Sequence, residues 1–178
     1  LKQDPYALET AYVSVITFDS TARQTVPLTD LLNFNLPSFS ASGTTALGEA
    51  LSLTANRIDA EVQKTTAETK GDWRPLVFLM TDGGPTDDWR KGLNEFKAAK
   101  KGVVVACAAG HDADTAVLKE ITEIVLQLDT ADSSSIKAFF KWVSASVSVG
   151  SQKVDAGKKE VIGLDDLPPP PPEVNVVL

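Results

Sequence analysis

Two short stretches concentrate side chains that could do chemistry. Ser42-Gly43-Thr44-Thr45 precedes a helical pattern, and Thr81-Asp82-Gly83-Gly84 follows a continuous apolar run. Hydroxyl and carboxylate oxygens are hard donors that suit Mg2+ or Mn2+. Glycines beside them let the backbone turn sharply close to an ion. An ion held by few protein charges stays electrophilic and can accept a carboxylate from a partner into an open coordination position. Each residue also has a plainer reading. A loop Asp such as Asp82 serves to turn the chain, and Thr44 or Thr45 is placed to cap the helix that follows. Asp87 and Asp88 read first as acids at the start of the next helix, favoured by its dipole, with a supporting role at the ion as the alternative.

Other chemistry finds little support. Gly-x-x-x-x-Gly-Lys-Ser/Thr, Gly-x-Ser-x-Gly and His-Glu-x-x-His are all absent. His111 is the single histidine and lies in a turn-rich stretch, Gly110 to Asp114, where an exposed side chain is expected. Cys107 is the single cysteine. It cannot form an internal disulfide, and its place in the apolar run Val103–Ala109 predicts a buried thiol in a reducing compartment, the cytoplasm. A buried strand position also argues against a Cys107–His111 nucleophile pair. The 17 basic and 24 acidic residues give a net charge of −7, which offers no electrostatic footprint for nucleic acid and is repelled by anionic lipid. No apolar run approaches the roughly 18 residues of a membrane span, and no signal peptide is visible. No catalytic signature is therefore found in the sequence.

The elements that must position these residues follow from pattern. With 43% hydrophobic residues in 178, one domain with a sizeable core is expected. Ala11–Phe18 is β-branched and aromatic and reads as a strand, with Arg23–Pro27 as its hairpin partner across the turn Asp19–Ala22. Thr29–Phe39 reads as an irregular connection with one helical turn. Leu47, Leu51, Ile58 and Val62 share one helical face. Lys64–Asp72 is a surface loop. Pro75–Met80 and Gly102–Ala108 are apolar on both faces, as strands of a parallel sheet are. Between them a helix is expected over Trp89–Lys100, and after them a short helix over Thr115–Glu123 and a strand over Ile124–Leu128. A last helix spans Ser133 to Val147, with Ile136, Phe139, Phe140 and Val143 as its buried stripe. Residues 1–150 thus form the domain, and 151–178 a proline-rich tail of polyproline II character that includes Pro168–Pro172. Trp73 and Trp89 flank the Asp82 strand and loop, as packing residues or as a rim for a partner. The alternation predicts an α/β fold, a doubly wound and mostly parallel sheet with helices on both faces, its sites at loops beyond the strands' carboxyl ends.

Ser42-Gly43-Thr44-Thr45-Ala46-Leu47-Gly48-Glu49-Ala50-Leu51 and Met80-Thr81-Asp82-Gly83 together resemble the von Willebrand factor A family. The string Met80-Thr81-Asp82-Gly83-Gly84-Pro85-Thr86-Asp87-Asp88-Trp89 is similar to TerY-like proteins of bacterial tellurium-resistance and stress-response clusters. Phe139–Ser146 resembles the end of that domain, and the likeness covers about residues 5–150. The resemblance implies a metal-ion-dependent adhesion site holding Mg2+ or Mn2+, with Thr44 and Asp82 as metal residues. It also implies protein partners from the same cluster, including kinase- and phosphatase-type proteins. The family's third contribution, an Asp-x-Ser-x-Ser loop after the first strand, is absent. Residues 1–5 look like the end of the helix that follows that loop, and with Leu1 first and Met80 the single methionine the chain reads as a piece of a longer product. Lack of the first, central strand would leave its neighbours with unpaired backbone groups and a hole in the core, and would weaken the domain. The metal site would then be incomplete, filled by the longer protein or by another chain. Two other roles remain open: a metal-dependent phosphoryl-transfer enzyme on a similar sheet, and an assembly subunit in which no metal matters.

Overall fold

The computed structural model describes residues 2–38, 42–155, 161 and 163–177. In chain order the elements are α1 (Pro5–Thr10), β1 (Tyr12–Phe18), β2 (Ala22–Asp30), α2 (Leu47–Glu61), β3 (Val77–Thr81), α3 (Trp89–Ala98), β4 (Val104–Ala109), α4 (Thr115–Ile121), β5 (Ile124–Leu128), α5 (Ser133–Asp155), a 3-10 turn (Leu164–Asp166) and β6 (Val174–Val176). The chain divides into two compact units. One comprises Leu1–Ala11, Leu76–Gly84 and Gly102–Leu178; the other comprises Tyr12–Pro75 and Pro85–Lys101.

The first unit is built on the apolar runs. β3, β4 and β5 are parallel, with Met80 beside Cys107 and Cys107 beside Leu126, and β6 joins β5 antiparallel through Leu128 and Val174. Every residue of β4 is buried, as expected of a strand covered on both faces. Val105, Cys107, Leu126 and Leu128 form a cluster with Phe139 and Trp142 of α5. α4 contacts β4 and β5 and buries Leu118 and Ile121. Burial pushes the Cys107 thiol up to about 12, so it stays protonated at neutral pH and is no nucleophile.

Four local expectations change. Phe140, expected in the buried stripe of α5, is 53% exposed, and Trp142 is buried beside Phe139 instead. Residues 2–5 do not end a helix. Asp4 starts one: its Oδ1 accepts the N–H groups of Tyr6 and Ala7 at 3.0 and 3.4 Å, and Pro5 stands at the first helical position, where no N–H is needed. α5 runs on to Asp155, past the expected end at Val147. Its serines do not interrupt it, because Ser144 and Ser146 return their hydroxyls to the carbonyls of Phe140 and Trp142 at 3.0 Å each. Finally, the proline-rich segment is folded against the unit. Trp142 Nε1 donates to the Pro168 carbonyl at 2.8 Å, Lys153 pairs with Asp166 at 2.6 Å, and Val161, Leu167 and Val174 are buried in the cluster. Residues 156–160, 162 and 178 of that segment lie outside the described residues.

The second unit is a hairpin with two helices. β1 and β2 are antiparallel, with irregular register between Val13 and Ile16. The turn after β2 is closed by Phe34 N–H to the Asp30 carbonyl at 2.9 Å, and the end of the expected connection, Phe39, lies outside the described residues. α2 is tied to the hairpin by two carboxylates. Glu49 accepts the Ala22 N–H at 3.0 Å, and Glu61 accepts the Leu28 N–H at 2.8 Å and the Gln24 amide at 3.0 Å. α2 and α3 meet backbone to backbone: a Cβ on Gly92 would lie 2.0 Å from the Gly48 carbonyl oxygen. Among the described residues, the strands form two sheets, β1-β2 and β3-β4-β5-β6.

Candidate functional site

Thr44 sits in a loop fastened to the turn between β1 and β2. Gly43 adopts φ 88°, a left-handed conformation that favours glycine. A Cβ there would also fall 2.5 Å from Ser20 Oγ. This close approach places Ser20 Oγ 3.3 Å from the Thr44 N–H donor and 3.4 Å from Thr44 Oγ1. The Asp19 carbonyl accepts the Ala46 N–H at 2.7 Å, and Asp19 Oδ1 holds the Thr21 N–H at 3.1 Å. Thr44 itself is exposed.

Neither Thr44 nor Thr45 caps α2. Its N-cap position is Ala46, which offers no side-chain oxygen. The free N–H groups of the first turn are met instead by Asp87: its Oδ1 accepts from Gly48 at 3.0 Å and its Oδ2 from Glu49 at 2.9 Å. The carboxylate thus sits where the helix dipole favours negative charge, but on α2, not on the helix that follows it in sequence. Thr86 completes the tie. Its Oγ1 accepts the Thr45 N–H at 3.0 Å, and its own N–H donates to the Thr45 carbonyl at 2.9 Å. Asp88 holds the N-cap position of α3 without a side-chain cap bond.

Asp82 belongs to the other unit. It follows Thr81, the buried last residue of β3. Thr81 Oγ1 donates to the Gly83 carbonyl at 3.2 Å and lies 3.4 Å from the Gly83 nitrogen, closing a tight turn that leaves Asp82 exposed. Because β3 and β4 are parallel, the Asp82 loop and the Gly110–Asp114 loop leave the same end of the sheet. In the latter, His111 is exposed as expected, and Asp114 is committed to α4, accepting from Ala116 and Val117 at 3.0 and 3.1 Å. Trp73 and Trp89 are both half-buried, and the Arg90 guanidinium lies 4.8 Å from the Trp89 ring centre.

Among the described residues, no group of three or more His, Cys, Asp or Glu side chains could hold a metal ion. The donor chemistry of Thr44 and Asp82 nevertheless suits a hard divalent cation, a hydroxyl and a carboxylate on exposed loops. Ser20 and Asp87 have parts here that the sequence alone did not reveal. Their partners are 24 and 39 residues away, beyond any local motif.

The family model described as von Willebrand factor type A domain matches residues 4–142. Among solved structures, the chain is similar to the ArnB paralog VWA2 from Sulfolobus acidocaldarius, with 12% identity and a TM-score of 0.50. The match covers 89% of this chain and 38% of that one. At this identity the likeness speaks to the fold alone. A comparison with curated proteins gives no match.

Proposed function

The chain belongs to the von Willebrand factor type A domain family, and we propose that it is a metal-ion-dependent protein-binding module with Thr44 and Asp82 among its metal residues. Domains of this family are generally metal-dependent protein-interaction modules and often bind a divalent cation. The observation that carries the reading is Asp82, exposed on the turn at the carboxyl end of β3. The hard oxygen donors favour Mg2+, with Mn2+ as its close substitute. When bound, the ion supplies an electrophilic open position for a partner's carboxylate. This chain's own residues present the donors: Gly43 and Ser20 set the Thr44 loop, and Thr81 turns the chain at Asp82. The setting we favour is a bacterial tellurium-resistance or stress-response system, with kinase- or phosphatase-type proteins as partners. Its support is the resemblance of Met80–Trp89 to TerY-like proteins.

Calorimetric titration of the full-length protein with Mg2+ tests the metal reading. Loss of binding in Asp82→Ala, with the parent's thermal midpoint kept, is the expected result. Binding equal to the parent's would overturn the assignment. Partner capture that persists unchanged in EDTA would reject the metal-dependent module in favour of an assembly role.

A further inference from the structure

We propose that Asp87 is a positioning residue of this centre, fixing the loop that presents Thr44 without touching the ion. The inference rests on the metal reading above and goes beyond it to a residue outside the donor set. The loop enters α2 through Thr44, Thr45 and Ala46, and it is gripped from two directions. From the hairpin turn, Ser20 receives the Thr44 N–H at 3.3 Å, and the Asp19 carbonyl receives the Ala46 N–H at 2.7 Å. From the stretch before α3, Thr86 exchanges two bonds with Thr45, at 3.0 and 2.9 Å. Asp87 then accepts from Gly48 and Glu49 at 3.0 and 2.9 Å, one N–H on each carboxylate oxygen.

Asp87 therefore closes the last gap in the chain of fixed backbone groups from Thr44 to the first turn of α2. Its geometry is specific to this task. Both oxygens are used by N–H groups one residue apart, and Gly48 leaves the room: a Cβ there would lie 3.0 Å from Asp87 Oδ2 and 2.6 Å from the Trp89 Cα. Asn in place of Asp87 keeps size and one acceptor oxygen but loses the second acceptor, so the grip loosens without opening a cavity.

The test uses the full-length protein and Mn2+ alone, in the parent, Asp82→Ala, Thr44→Ala, Asp87→Asn and the double variant Thr44→Ala/Asp87→Asn. Metal-free thermal melts and amide hydrogen exchange at Gly48 and Glu49 accompany each Mn2+ titration. Asp87→Asn is expected to speed exchange at these two amides, to keep the parent's thermal midpoint within a few degrees, and to weaken Mn2+ by about tenfold, as loss of an outer-shell support does. In the Thr44→Ala background the same change is expected to weaken Mn2+ no further, because Asp87 acts through the Thr44 loop. An unchanged affinity in Asp87→Asn overturns the proposal, and so does a tenfold loss that persists without the Thr44 hydroxyl. If the parent binds no Mn2+, or if Asp82→Ala binds it normally, the metal reading itself fails and the proposal falls with it. If the parent's binding depends on Asp82 but not on Asp87, the proposal alone falls.

Discussion

The strands of the two units are held in different ways. In one, β4 is buried along its whole length and flanked by β3 and β5, and its apolar side chains meet Phe139, Trp142 and the C-terminal segment. In the other, no residue of β1 or β2 is fully buried, and carboxylates fix the parts: Glu49 and Glu61 to the hairpin, Asp87 to α2. Apolar burial is strong but non-directional. Hydrogen bonds add less net stability each, about 1 kcal/mol, but they specify position. The unit presenting Thr44 thus adds directional contacts to buried apolar side chains of its own, Leu31, Leu47 and Phe96, while Asp82 leaves a strand of the buried sheet.

The largest effect should come from the buried side. Trp142→Ala is expected to cost about 3–5 kcal/mol, as large aromatic deletions do, measured by urea denaturation. Trp142→Phe should retain most of that stability and lose mainly the indole bond to Pro168. Equal losses in the two variants would show that the hydrogen bond, not burial, holds the segment. Next comes Gly92→Ala. Its new Cβ would meet the Gly48 carbonyl oxygen at 2.0 Å, and overpacking of this kind costs about 1–3 kcal/mol. Hydrogen exchange should rise first in α2 and α3. A rise of the same size in the β4 amides would erase the contrast between the units.

The smallest effect concerns a polar feature on the apolar side. Asp132 heads α5, and the hydroxyls of Ser134 and Thr130, then the N–H groups of Ser135 and Ser134, hold its carboxyl well below the usual 3.8. Because the folded value is the lowered one, its contribution is present above about pH 4 and is lost as pH falls through that range toward the folded value. Thermal midpoints between pH 7 and pH 3 should therefore drop slightly more in the parent than in Asp132→Asn. An identical pH dependence would remove Asp132 from the account.

Much of the apolar unit was legible because its signals are local and continuous. Ile124–Leu128 falls as expected, and β3 and β4 lie within two residues of the runs that announced them. The fold class followed from the alternation of those runs with helices. What escaped depends on contacts distant in sequence. β6 has three residues and follows a proline stretch, so no periodicity can announce it; only pairing with β5 makes it a strand. The helix-start acid at Asp87 was visible, but the helix it serves lies 39 residues back. Asp82 and Thr44 stood out by residue type and position. Ser20 did not, because a serine in a hairpin turn is commonplace and only the left-handed Gly43 brings the loop against it.

The Gly48–Gly92 contact has a mechanical corollary. Side chains between helices act as spacers that can slip by changing rotamer; two backbones in direct contact have none to spend. α2 and α3 can pivot about that point but cannot glide past it without separating. A force on α3 would reach α2 as a tilt, and the Thr44 loop, only a few residues from the fulcrum, would swing with it.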